Sequence, residues 1–141
     1  MPFDIYLPPE RLAQAHLWLD RLLVDDLDAA RKATPGRTAF AGANSASGAS
    51  VSLTYAQFGE RVDQIALGLM TLGVDAGDVV AFQLPNWWEF TALMYACNRI
   101  GAVANPLMPI FRERELRYML GFDVEAVLVV EFATPGLGDD R

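Results

Sequence analysis

Val79-Val-Ala-Phe-Gln-Leu84, followed by Pro85-Asn-Trp-Trp-Glu-Phe90 and the apolar run to Ile100, is the stretch that decides the fold. Residues 79–84 are apolar except Gln83, the pattern of a strand covered on both faces. Gly77-Asp78 turns the chain into this run and Pro85 ends it. Asn86 stands three residues before Glu89, a capping spacing, and a helix is predicted from there to about Ile100. That helix is apolar nearly all round, so it belongs between layers. Gly101 stops it, and Ala102–Ala104 forms a short strand before Asn105-Pro106. Pro109-Ile-Phe111 leads into a helix over Arg112–Leu120, and Ala126–Val130 reads as another buried strand. Strand, helix, strand, helix, strand with short loops implies a parallel sheet with right-handed crossovers. The fold class is therefore α/β, a layered domain with a mainly parallel βαβαβ sheet from about 79 to 130. Ligands of such sheets gather beyond the carboxyl ends of the strands, here near Pro85-Asn86 and Asn105-Pro106.

Toward the N-terminus, Thr54-Tyr-Ala-Gln57 has the form of a capping box. Tyr55, Phe58, Val62, Ile65, Leu69 and Leu72 then recur at steps of three and four, one apolar stripe, while Glu60, Arg61, Asp63 and Gln64 face water. Gly73 is placed to stop this helix. Thr38–Ala41 and Ser50–Leu53 read as short strands joined by a small-residue loop, Gly42–Ala49. That loop lacks the lysine and the strand-to-helix context of a phosphate cradle and is read as a hairpin connection. Leu12, Ala15, Leu19, Leu22 and Leu23 give an interrupted helical pattern between Glu10 and Lys32. Asp25, Asp26 and Asp28 supply a cap and first-turn acids for a second short helix that Thr34-Pro35-Gly36 ends. The expected divisions are an N-terminal helical segment at 1–36, an α/β unit at 37–130 and a loose tail at 131–141.

Composition narrows the function classes. The 141 residues are 52% hydrophobic and 21% charged, with a net charge of −7, ordinary globular usage for one domain or part of one. Residues 1–70 carry 6 basic and 8 acidic groups, the rest 5 and 10, so no basic surface for nucleic acid is expected. The first twenty residues include Asp4, Glu10, Arg11 and Asp20, unlike a secretory signal. The apolar stretch Phe90–Cys97 is too short for a bilayer, which needs about twenty residues. The expectation is a cytoplasmic protein in a reducing compartment.

Single copies of reactive residues remove further chemistry. Cys97 is the sole cysteine and His16 the sole histidine, which leaves no disulfide framework, no multi-thiolate metal site and no two-imidazole site. Cys97 falls inside the apolar helix and reads as core. Lys32, the sole lysine, sits between Arg31 and Ala33 rather than after a glycine run, so it is no Walker lysine. Arg112–Glu115 and Glu113–Arg117 are spaced for helix ion pairs worth about 0.2–0.5 kcal/mol each. Asn86 and Asn105 are polar groups at strand ends, read as cap and turn residues. One of Trp87 and Trp88 is expected to anchor the core.

These residues also carry a resemblance. Leu53-Thr-Tyr55, Leu72-Gly-Val74, Gly77-Asp-Val-Val80, Leu84-Pro-Asn86, Glu89-Phe90 and Gly101-Ala-Val103 followed by Asn105-Pro-Leu107 resemble, in order and spacing, the N-terminal region of AMP-forming acyl-CoA synthetases. Residues 85–90 and 105–116 are most similar to the cyclohexanecarboxylate–CoA ligase branch, beside medium-chain fatty-acid and aryl-acid ligases. The resemblance implies the incomplete N-terminal part of the adenylate-forming fold. It implies a two-step reaction for the full-length family, with ATP, magnesium and coenzyme A: a carboxylic acid becomes an acyl adenylate, and the CoA thiol then displaces AMP. The family's Ser/Thr/Gly-rich phosphate loop ending in Pro-Lys-Gly, its adenine motif, its ribose-binding aspartate and its C-terminal catalytic lysine have no counterpart here. Lys32 lies outside the matched stretch. The resemblance therefore assigns no catalytic, cofactor-binding or metal-binding residue to this chain.

The functional expectation is the N-terminal fragment of an acid–CoA ligase, inactive by itself. The alternative is an interaction or regulatory module that pairs with a separately encoded remainder or a paralogue. Strands apolar on both faces with few covering layers also predict a homo-oligomer, with apolar residues from Trp87 to Phe111 contributing to the contact.

Overall fold

The computed structural model describes Glu10, residues 21–121 and the strand residues Ala126 and Val127. The first helical pattern up to Asp20, most of the strand expected at Ala126–Val130, and the tail at 131–141 lie outside the described residues. Within them the elements run α1 (Leu23–Ala33), β1 (Thr38–Ala43), β2 (Ser50–Thr54), α2 (Tyr55–Thr71), β3 (Val79–Gln83), α3 (Trp88–Ile100), β4 (Val103–Leu107), α4 (Glu113–Leu120) and β5 (Ala126–Val127).

The strands form two sheets. β1 and β2 make an antiparallel hairpin with an irregularity between Thr38 and Phe40. β3, β4 and β5 form a parallel sheet in the order β4-β3-β5, so the βαβαβ reading of the deciding stretch holds. Val79 pairs with Val103 and Gln83 with Leu107 on one side of β3, and Val80 pairs with Ala126 on the other. Val80, Ala81 and Phe82 are buried, as a central strand requires.

β4 departs from the expectation in two ways. It starts one residue later than the sequence predicts and runs through Asn105-Pro106, a turn by sequence. It is also an edge strand among the described residues rather than a central one, with Val103 half exposed. The two facts are linked. Proline lacks a backbone donor and is tolerated in a strand only where that donor would face outward. The Val103 N–H donates toward β3, to the Asp78 carbonyl at 2.7 Å. Alternation along the strand then turns the nitrogens of Ala104 and Pro106 to the open side.

α2 begins as its sequence dictates. The Gln57 N–H donates to Thr54 Oγ1 at 3.3 Å and the Thr54 N–H to Gln57 Oε1 at 3.0 Å, satisfying donors that the first helical turn leaves open. Phe58, Val62, Ala66 and Leu69 are buried, and Tyr55 and Ile65 pack on the same core. Leu72 does not join them. The helix ends at Thr71 and Gly73 turns left-handed at φ +89°, which leaves the Leu72 side chain exposed.

α3 shows no exposed residue from Trp88 to Ile100, in accord with its all-round apolarity. Its cap corrects the sequence reading. Trp87, not Asn86, is the N-cap, and no side chain caps the helix. Asn86 is exposed, while the Trp87 N–H donates to the Pro85 carbonyl at 2.7 Å in a tight turn. Burial of the Trp87 ring thus sets where the helix starts. At the other end Gly101 adopts φ +77°, where a Cβ would also lie 3.1 Å from the Ala76 methyl.

α1 likewise has Leu22 rather than an aspartate as its N-cap. Asp25, in the first turn, accepts the Leu22 N–H at 2.7 Å. On α4 only one of the two expected ion pairs forms. Arg117 bonds Glu113 at 2.7 and 2.9 Å, whereas Glu115 accepts the Arg112 backbone N–H at 3.1 Å. Hydrophobic closure comes from α1, α2 and α3 against β3. Val62, Val80, Ala92, Ala96 and Cys97 are wholly inaccessible, and Phe58 meets Tyr95, and Phe82 meets Phe90, edge to face.

Candidate functional site

Two polar constellations stand out, one at the carboxyl edge of the parallel sheet and one on the helical layer. At the edge, Gln83 ends β3, and its amide Nε2 donates to the carbonyls of Met108 at 2.7 Å and Phe111 at 3.0 Å. Both amide hydrogens are thereby committed to holding the β4–α4 connection. The Trp87 indole N–H donates to Ser45 Oγ at 3.1 Å, which ties the start of α3 to the hairpin loop. In that loop the Asn44 side chain accepts from the N–H groups of Ala46 and Ser47 at 2.9 and 3.0 Å, and its backbone carbonyl accepts from Gly48 at 2.8 Å. Five loop amides are therefore spent internally, counting Asn44's own bond to the Ala49 carbonyl and the Ala49 N–H bond to Ser47 Oγ. A phosphate cradle needs such amides free. The hairpin reading of this loop stands.

Asn105, read as a turn residue, is half-buried within β4, and Asn86 is exposed. Glu89 is half-buried on the first turn of α3, and its Oε2 is buried with no hydrogen bond reaching it. The donor set here does not suit a triphosphate, since the side-chain donors of Gln83 and Trp87 already serve the fold. Among the described residues no cluster of three His, Cys, Asp or Glu side chains is placed to hold a metal ion.

The second constellation knits α1, α2 and α3. Arg99 donates to both carboxylate oxygens of Asp28, at 2.7 and 3.1 Å. Its Nε lies 3.0 Å from Asp63 Oδ1, an ion-pair distance without hydrogen-bond alignment. Arg31 completes the chain of charges at 2.7 Å from the other oxygen of Asp63. The bond to Arg99 holds the Asp28 carboxyl below its ordinary range, and the same bond raises the Arg99 guanidinium. Asn98 accepts the Val24 N–H at 3.0 Å and so serves the first turn of α1. Beside this seam lies an open, largely apolar cleft of about 440 Å³ between α2 and the end of α3.

Asp63, on the water-facing side of α2 by sequence, instead links two arginines. Gln83, Asn98 and Arg99 hold contacts that the motifs and spacings above do not assign. A polar residue closing an otherwise apolar strand or helix was the available signal for all three. Cys97 is core, as expected, and burial pushes its thiol up to about 11. Trp87 is the buried anchor and Trp88 packs partly buried against the core. Lys32 is exposed near the end of α1, and His16 lies outside the described residues.

The sequence profile of the family described as AMP-binding enzyme matches residues 27–137. The chain is 37% identical over 107 residues to the medium-chain fatty-acid–CoA ligase of Escherichia coli, covering 76% of this chain and 18% of that protein. It is 33% identical over 132 residues to the salicyl-AMP ligase / salicyl-S-ArCP synthetase of Mycobacterium tuberculosis, covering 92% of this chain and 23% of the relative. The chain thus spans less than a quarter of the length of these two relatives. Among solved structures, the inhibitor-bound N-terminal domain of FACL13 from Mycobacterium tuberculosis superposes with a TM-score of 0.68 at 27% identity, over 77% of this chain and 27% of that one. VinN in complex with L-aspartate gives the same score and identity over 81% of this chain and 31% of its own.

Proposed function

The chain belongs to the AMP-binding enzyme family, and from that premise we propose that it is the N-terminal portion of an acid–CoA ligase for a cyclic or medium-chain fatty acid. The observation that carries this reading is a family match over most of the chain, set against the small share of each relative that the chain spans. In the proposed reaction a carboxylate oxygen of the acid attacks the α-phosphate of ATP and pyrophosphate leaves. The CoA thiol sulfur then attacks the acyl carbon and AMP leaves. Magnesium, when bound, would offset the charge on the phosphates.

This chain's own residues supply none of those steps; residues 37–130 contribute the first α/β layers on which the site is built. By itself the 141-residue chain is then inert. Incubation with ATP, magnesium, CoA and a panel of cyclic and medium-chain acids should yield neither acyl-CoA nor AMP, and formation of either would overturn the inertness. An in-frame continuation of the coding DNA into a Thr/Ser/Gly-rich loop with Pro-Lys-Gly would support the fragment reading; its absence, with capture of a separately encoded remainder, would favour the pairing module instead. No helix among the described residues is long and apolar enough to cross a membrane.

Self-association belongs to the same proposal. Val103, Met108 and Ile110 are exposed and form the apolar part of the 87–111 stretch available for contact, while Trp87 is withdrawn into the core. Sedimentation over a concentration series should show a dimer that Ile110→Asp weakens. A stable monomer at high concentration would remove this part of the reading.

A further inference from the structure

A cleft of about 210 Å³ opens where α1, the hairpin, the start of α2 and the first half of α3 converge, and the reaction proposed above makes no use of it. Its walls are aromatic: Phe40 from β1, Tyr55 and Phe58 from α2, and Tyr95 from α3. Phe58 is buried and meets Tyr95 edge to face, whereas Phe40, Tyr55 and Tyr95 keep part of their surface open. Ala30 and Ala39 are small enough to leave the space between these rings. The volume lies below the about 300–1,000 Å³ of sites that enclose drug-sized molecules. A ligand here is small.

The charge of the lining is one-sided. Asp26 is the one charged residue among the described residues that line the cleft, and its polar company is the hydroxyls of Tyr55, Thr91 and Tyr95. That carboxylate is half exposed and pairs with the guanidinium of Arg21, itself an exposed side chain. The rim thus already accepts an organic cation, supplied by the chain itself. Aromatic rings attract cations through their negative faces, more strongly once water is excluded. An anion would meet Asp26 with no counter-charge in the lining, and a bare metal ion would leave the aromatic walls unused. An ammonium ion carrying carbon substituents uses both the rings and the carboxylate.

We propose that this cleft binds a small organic ammonium ion, with its substituents against Tyr55, Tyr95 and Phe40 and its charge facing Asp26, in competition with Arg21.

The test titrates the full 141-residue chain with choline at fixed ionic strength, followed by NMR. Saturable shifts of the Tyr55 and Tyr95 ring signals are expected. The neutral isostere 3,3-dimethyl-1-butanol should bind much more weakly, because it keeps the shape and lacks the charge. Asp26→Asn and Tyr95→Leu should each weaken choline binding several-fold, with helix content retained by circular dichroism. Arg21→Ala should tighten it several-fold, since the competing guanidinium is gone. Three results would overturn the proposal: no saturable shift at either tyrosine, equal affinity for the alcohol, or an affinity that Arg21→Ala leaves unchanged. The second would make the cleft merely apolar, and the third would put the ammonium ion away from Asp26. Should Asp26→Asn or Tyr95→Leu fail to fold, Arg21→Ala and the alcohol decide the question, because both leave the lining intact.

Discussion

The two halves of the parallel unit, each a strand followed by a helix, end up differently. On the β3–α3 side, apolar residues meet the helical layer, and Phe82, Ala92 and Cys97 are sealed from solvent. On the β4–α4 side, Val103, Met108, Ile110 and Tyr118 are exposed, and α4 has no buried residue. Hydrophobicity along the chain is thus a necessary condition for burial, not a sufficient one. What decides is whether another element lies across the face. α1 and α2 cover the first half, and among the described residues nothing comparable covers the second.

That contrast yields a ranking of substitutions. Phe82→Ala should cost most, about 3–5 kcal/mol in urea unfolding, since it empties a fully enclosed ring site. It should also let a thiol reagent reach Cys97, which in the intact chain reacts only on opening because the thiol is inaccessible and its pKa is about 11. A loss below about 1 kcal/mol would mean that the packed half is looser than its burial implies. Thr54→Ala removes one partner of the α2 capping box and should cost about 1 kcal/mol, detectable as a lower midpoint with an unchanged slope.

A smaller effect is expected from Asp28→Asn, and it should appear as a change in acid sensitivity. The bond from Arg99 lowers the Asp28 pKa in the folded state, so the carboxylate's contribution is complete above its unfolded value. It is lost as pH falls through the folded one. The variant should therefore show a flatter decline of stability below about pH 4, the ordinary aspartate range. An unchanged acid limb would mean that the seam carries no linkage. Val103→Ser should change stability by no more than about 0.5 kcal/mol. A cost near that of Phe82→Ala would show that the open half is covered after all and erase the contrast.

What could be read in advance follows the same division. The capping box at Thr54, the α2 stripe and the order of β3, α3 and β4 were legible because each rests on local spacing. The failures lie where a distant element intervenes. Asn86 has the composition of a cap, yet burial of Trp87 sets the start of α3. Asp63 lies on the polar face of α2, but α1 and α3 bring Arg31 and Arg99 to it. Leu72 fits the stripe by arithmetic and loses its place because the helix ends one residue earlier. For the candidate site, the edges near Pro85 and Asn105 could be located from topology alone. The commitment of Gln83 to two loop carbonyls could not, because it depends on how the β4–α4 connection folds back.

Pro106 has an implication for how this protein could assemble. Its ring nitrogen faces the open side of β4, where a neighbouring chain would look for a donor, and Ala104 offers the remaining backbone N–H along that margin. A second polypeptide adding itself there as an extra strand would find acceptors and little to accept from, so the ladder could not propagate. Contact between copies should then proceed through side chains on the faces, giving a closed, finite complex instead of a growing ribbon. Restoring the donor with Pro106→Ala would remove that block, and thioflavin-positive fibrils on prolonged incubation are the expected sign.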